Sequence, residues 1–269
     1  MIIYMKHTFN VTFFLLLLFF LAQVLGLIIS SYYSTNDLPM NIERPQIDPE
    51  YSYITVFLII LLSTAIALVL LKFKLYIIWK IWFFLSVFLT LLISFNVFLS
   101  SIFALIFAII FSIWRIFWPN PIVHNLTELF IYGALAAMFV PFFNLFSIFI
   151  LLVLISIYDY ISVRKTGHMV KLAKSQSEAK VFAGLLIPYE GNVAMLGGGD
   201  IGFSLMFSAV AMNFFNLNIS DFRTYIIPLF ITLMLFFLFW KGEKKKYYPA
   251  MPYITLGCVL GVCVLLLFI

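Results

Sequence analysis

Charge is what this chain has least of. Only 10% of its 269 residues are charged, whereas a soluble domain carries about 25%, so a water-facing surface cannot be built from them. Cysteine is nearly absent: Cys258 and Cys263 stand five residues apart in one apolar run and point to different helix faces, which excludes a disulfide framework. The three histidines, His7, His124 and His168, fall in separate terminal or loop regions without ligand spacing. That argues against a metal site, and no motif asks for a cofactor. The net charge of +5 does not point to nucleic acid, because basic loops on the cytoplasmic side of a membrane produce the same excess.

Hydrocarbon fills the rest. Hydrophobic residues make up 65% of the chain, 33 of them phenylalanine, and the mean hydropathy is +1.15. The composition is that of an all-α polytopic membrane protein. A span needs about 20 predominantly apolar residues, and nine such stretches are expected, at 9–31, 53–72, 76–96, 99–118, 125–142, 144–163, 191–212, 222–240 and 249–268. The first is longer than the apolar region of a signal peptide, about 7–15 residues, and no small-x-small cleavage site follows it. It is therefore expected to stay as a span. No internal repeat is evident.

Basic residues set the direction. With the N-terminus in the cytoplasm, Lys6, Lys72, Lys74, Arg115, the five between Arg164 and Lys180, and the four between Lys241 and Lys246 fall inside. Only Arg44 and Arg223 fall outside, beside the acids Asp37, Glu43, Asp48, Glu50 and Asp221. Nine spans then leave the C-terminus outside. The chain divides into residues 1–163 with spans one to six, a basic cytoplasmic loop at 164–190, and residues 191–269 with spans seven to nine.

Three acids remain within the spans: Glu128, Asp159 and Asp200. Glu128 falls in the first turn of span five as drawn, where a carboxylate complements the helix N-terminus, so it is expected to be an interfacial cap. The aspartates resist that reading. Asp159 lies about 7–8 Å inside the cytoplasmic end of span six at a helical rise of 1.5 Å per residue. Asp200 lies near the start of span seven, in LGGGDIGF. An acid at mid-bilayer costs about 2.5–3.5 kcal/mol on insertion scales, and each glycine weakens a helix by roughly 1 kcal/mol. Consecutive helices can bring the two carboxyls together. Two acids sharing a site hold one proton between them, which suits either acid–base hydrolysis or proton conduction. Placement alone leaves both open.

The surrounding motifs favour hydrolysis. Asp159 sits in SIYDYIS after Tyr158, Asp200 ends GGGD, and YPAMPYI opens the last span. A tyrosine–aspartate pair, a Gly-x-Gly-Asp motif in the next span and a Pro-Ala-Leu-like motif in the ninth, in that order, resemble the presenilin and signal peptide peptidase family. The likeness is nearest to its microbial presenilin homologues. The resemblance implies a nine-span intramembrane aspartyl protease with Asp159 and Asp200 as its catalytic pair. It further implies that Tyr158, Gly197, Gly198, Gly199, Pro249, Ala250 and Met251 shape the site and bind substrate. Met251 replaces the family's leucine, a swap of similar volume. Prepilin-type peptidases share a GxGD motif but do not call for the other two.

Other expectations follow from the same likeness. The apolar residues 181–187, ending at Pro188, form either an interfacial lead-in to span seven or a strand that adds to an unwound substrate. The cytoplasmic six–seven loop matches the presenilin orientation, implying substrates that are transmembrane helices with the N-terminus outside. That loop is too short for the self-cleavage of presenilins, and activity without accessory subunits is expected. The protein would be an integral, multi-pass component of the bilayer, the plasma membrane in a prokaryote. The competing functional reading is a proton-coupled transporter or ion-leak channel using the same acid pair.

Overall fold

The structure is a computed structural model that describes residues 8–44, 48–73, 75–166, 182–243 and 247–269. Among the described residues it holds nine α-helices and one β-hairpin. The helices are α1 (Phe9–Thr35), α2 (Ser52–Lys72), α3 (Tyr76–Phe95), α4 (Ser101–Phe117), α5 (Pro121–Phe139), α6 (Leu145–Ile161), α7 (Gly198–Phe214), α8 (Ile226–Lys241) and α9 (Met251–Leu265). The hairpin, β1 (Gly184–Tyr189) and β2 (Asn192–Gly197), leads into α7. Most of the expected cytoplasmic loop, residues 167–181, lies outside the described residues.

Among the described residues, six helical stretches are long and apolar enough to cross a membrane, contributed by α1, α2, α3, α5, α6 and α8. The others have 15 or 17 residues, about 22–26 Å at 1.5 Å per residue. That is short of the roughly 30 Å of a bilayer's hydrocarbon core.

Two boundaries differ from expectation. The seventh stretch is not helical from 191, because residues 192–197 form β2 and the helix starts at Gly198. Alternating burial, with Ala194 and Leu196 inward, and a turn at Glu190 and Gly191 outweigh the continuous hydropathy there. Both turn residues have left-handed backbones, φ 44° and 74°, as a two-residue hairpin turn requires. The fifth helix starts at Pro121 rather than 125. Proline favours the first helical position, and the Asn120 side chain caps it by accepting from the Ile122 N–H at 2.8 Å.

The most buried helix is α7, whose residues from Ser204 to Met212 are all buried. It packs on α1, α5, α6, α8 and α9. In lipid, helices gain little from hydrophobicity and associate by close backbone approach. Two glycines one turn apart show this between α8 and α9: a Cβ on Gly257 would stand 2.7 Å from the Ile231 Cα, and one on Gly261 2.8 Å from the Ile227 Cα. By contrast α2 is little buried, and its apolar face is left to lipid.

Candidate active site

Asp159 ends α6. Its Oδ2 accepts the Met251 backbone N–H at 3.1 Å, and the Ala250 N–H also donates to its carboxyl. These donors are free because the chain approaching α9 is not helical. Pro249 cannot donate and biases its predecessor away from helix, while Pro252 stands in the first turn of α9. The amides of Ala250 and Met251 therefore have no carbonyl one turn back to bond. A bond between Ser156 and Thr255 hydroxyls, 2.7 Å, joins α6 to α9 close by. Tyr158 points instead to α2, bonding Thr64 and meeting Phe57 edge to face at 6.5 Å.

Asp200 lies in the first turn of α7, the helix beside α6. The three glycines before it serve different ends. A Cβ on Gly197 would come 3.2 Å from Asp200 Oδ2; one on Gly198 would come 2.8 Å from the Tyr132 hydroxyl and 3.3 Å from the Ala183 carbonyl; one on Gly199 would meet nothing nearer than Phe203 at 3.7 Å. Gly199 is exposed to a cavity of about 530 Å³ that reaches from these glycines to α2 and α3. Behind Asp200, Gln23 of α1 is fully buried and donates to the Ile201 carbonyl at 3.1 Å and the Ser204 hydroxyl at 2.9 Å. Ser204 in turn donates to the Asp200 carbonyl at 2.7 Å. The helices that carry the two aspartates pack together, and the Ala250 and Met251 amides meet the carboxyl of the first.

The profile of the signal-peptide peptidase, presenilin aspartyl protease family matches residues 16–199, which include Asp159 and stop one residue before Asp200. The chain belongs to that family. Two solved structures of presenilin family intramembrane aspartate proteases, in space groups C222 and P2, share the fold. They are 18% and 17% identical, with TM-scores of 0.69 and 0.66. The alignments cover 96% and 95% of this chain and 99% and 97% of theirs. Curated protein sequences gave no match. Family and structural neighbours are thus aspartate proteases of presenilin type, and nothing found supports the transporter reading.

In this presenilin-family chain the hairpin before Asp200 is held from one side. Residues 184–189 are a strand rather than a mere lead-in, paired antiparallel with β2 from Gly184↔Gly197 to Tyr189↔Asn192. On the opposite edge of β1 the Asn125 side chain accepts from the Leu186 N–H at 3.0 Å and donates to its carbonyl at 2.7 Å. The His124 ring bonds the Gly184 carbonyl at 2.7 Å. Two side chains of α5 thus stand where a neighbouring strand would. Leu186 points its polar groups away from β2, so by the alternation of antiparallel ladders its partner Met195, and Val193 with it, point theirs outward on the far edge.

A buried ionic cluster escaped the sequence reading. Glu128 is 1% exposed and Arg115 3%, so neither is the interfacial cap or the loop charge expected of it. Arg115 of α4 pairs with Glu128 of α5, donates to the Thr127 hydroxyl at 2.8 Å and reaches the Phe182 carbonyl at 3.2 Å. The buried Tyr132 hydroxyl donates to the other Glu128 oxygen. Because α5 begins at Pro121, Glu128 falls in its second turn, against α4.

Proposed function

We propose that this protein hydrolyses peptide bonds within transmembrane helices, using Asp159 and Asp200 as one acid–base pair and a water molecule as nucleophile. The observation that carries the reading is the Asp159 carboxyl receiving backbone N–H groups from the start of α9, beside the helix that Asp200 opens. One aspartate, ionised, takes a proton from water as the oxygen attacks the substrate carbonyl. The other, protonated, gives its proton to the carbonyl oxygen. The tetrahedral intermediate collapses when the proton gained from water passes to the leaving nitrogen, the C–N bond breaks, and the other carboxyl recovers its own proton.

Substrate must be unwound first, because a helical carbonyl is hidden in its own hydrogen bonds. An opened backbone needs partners that lipid does not offer. The outward edge of β2, at Val193 and Met195, supplies them by strand addition. Gly199 leaves room for the substrate backbone beside Asp200, and Gly197 leaves room for the carboxyl itself. Ala250 and Met251 act through backbone rather than side chain, with Pro249 keeping their amides free. Tyr158 acts from behind, anchoring the end of α6 to α2.

The basic-residue bias supports nine spans with the N-terminus in the cytoplasm, and with it substrates whose N-terminus is outside, in the plasma membrane of a prokaryote. Purified protein in liposomes with a labelled single-span substrate tests the chemistry. Cleavage should vanish in both Asp159→Asn and Asp200→Asn, and near wild-type cutting by either variant rejects the shared pair. A panel of type I and type II substrates, with products identified by mass spectrometry, tests the orientation.

A further inference from the structure

The buried ionic cluster closes a circuit that ends at the turn before Asp200. Arg115 holds the Phe182 carbonyl at 3.2 Å. The next carbonyl, that of Ala183, accepts the Gly198 N–H at 3.1 Å. Gly198 lies so near the Tyr132 hydroxyl that a Cβ there would approach it to 2.8 Å, and Gly202, one turn on, rests 3.6 Å from the Tyr132 ring by the same measure. Tyr132 donates to Glu128, and Glu128 pairs with Arg115. Four separate parts of the chain meet in this ring: the end of α4, the face of α5, the residues entering β1 and the first residue of α7. Asp200 is two residues from the last of them, in the same first turn of α7.

A buried ion pair is a poor choice for stability alone. Apolar residues of similar volume often serve as well or better, whereas removing one partner of a pair is strongly destabilising. What the pair adds is direction: a guanidinium with two bonded nitrogens and a carboxylate with both oxygens engaged admit few arrangements. A leucine cluster would admit many.

We infer that Arg115, Glu128 and Tyr132 are positioning residues for Asp200, fixing the Gly198 turn and so the place of the carboxyl that follows it. The inference rests on Asp200 being catalytic. None of the three touches the reacting atoms. They act through Gly198 and the hairpin, and their loss lowers turnover rather than substrate binding.

The test is steady-state cleavage of a fluorescent single-span peptide by the full chain in liposomes, with kcat and KM determined separately and folding followed by thermal unfolding. Tyr132→Phe keeps the ring and the ion pair and removes only the hydroxyl. It should lower kcat about 10-fold, short of the roughly 100-fold that a 1 Å misplacement can cost, with KM within about twofold and a fall in the unfolding midpoint, from the Glu128 oxygen left unpaired, that leaves the protein folded at the assay temperature. Wild-type kcat, or a loss matched by a fall in folded protein or an equal rise in KM, overturns the proposal. The triple variant Arg115→Met, Glu128→Leu, Tyr132→Phe replaces the whole cluster with apolar groups. Folded but slow, it supports positioning; folded with wild-type kcat, it shows a merely structural cluster and overturns it; if it does not fold, Tyr132→Phe decides alone. Asp200→Asn is measured alongside. Activity in that variant defeats the catalytic pair, whereas an inert Asp200→Asn beside a fully active Tyr132→Phe defeats only the positioning role.

Discussion

The Met251 backbone N–H donates to Asp159 Oδ2 at 3.1 Å, joining residues 92 positions apart in the chain. A main-chain donor is indifferent to the side chain that follows it. Met251→Leu should therefore cleave at near the wild-type rate. Met251→Pro, which deletes the donor, should lose about 10- to 100-fold in kcat, less than the roughly 100- to 1000-fold lost when a donor aimed at a developing oxyanion is removed. Initial rates in liposomes at matched folded protein check both.

The glycines before Asp200 separate by mutation. Gly198→Ala forces a carbon against Tyr132 and the Ala183 carbonyl, and overpacking of that kind costs about 1–3 kcal/mol. Gly199→Ala meets only ordinary contact and should fold as the wild type does, while cleaving bulky substrates less efficiently. Thermal unfolding distinguishes the first effect and kcat/KM across a side-chain series the second.

Asn125→Leu strips the Leu186 backbone of both its partners on α5. Each buried polar group left unsatisfied costs about 1–3 kcal/mol. Hydrogen exchange at the Leu186 amide should quicken and the unfolding midpoint should fall, with α8 and α9 unaffected.

Between α7 and α8, Asp221 bonds Arg223 through side chain at 2.8 Å and backbone at 2.9 Å. The Arg223 side chain also reaches the Phe268 carbonyl at 3.2 Å. Hydrogen bonds from Arg223 hold the Asp221 carboxyl below the usual carboxylate range. A carboxyl lowered in the fold contributes stability above its unfolded pKa and loses it as pH falls through the folded one. The gap in unfolding midpoint between wild type and Asp221→Asn should be present at neutral pH and close only under strong acid. A gap that is constant through the acid range would reject the pairing.

What could be read in advance followed from scarcity. In a chain this apolar, each intramembrane acid is costly and therefore noticeable, and the tyrosine, glycines and prolines beside Asp159, Asp200 and Met251 made a pattern in order. Arg115 and Glu128 were hidden for a related reason. Each lies near the end of an apolar run, where charge is cheap, and their pairing depends on how α4 turns back onto α5. Asn120 and Pro121 carried the true start of α5, but the hydropathy window weighted the apolar run above the cap. The hairpin is half legible: residues 181–187 fit a strand as well as an interfacial lead-in, whereas 192–197 reads as part of a span because a half-buried strand and a membrane helix are equally apolar. Glu190-Gly191 was the signal that separated them.

The side chains of His124 and Asn125 along β1 have a consequence for stoichiometry. A two-stranded sheet normally offers two sides to other chains, and one of these is shut. Under the proposed strand addition only one guest strand is received at a time, so a peptide that occupies the outer side of β2 should compete with substrate one for one. Methylating alternate amides of such a peptide, those facing Val193 and Met195, should abolish its inhibition, whereas methylating the intervening ones should not. For the same reason copies of the protein cannot stack through both edges: even a pair joined at β2 would end on two blocked β1 edges and could not grow into a longer sheet.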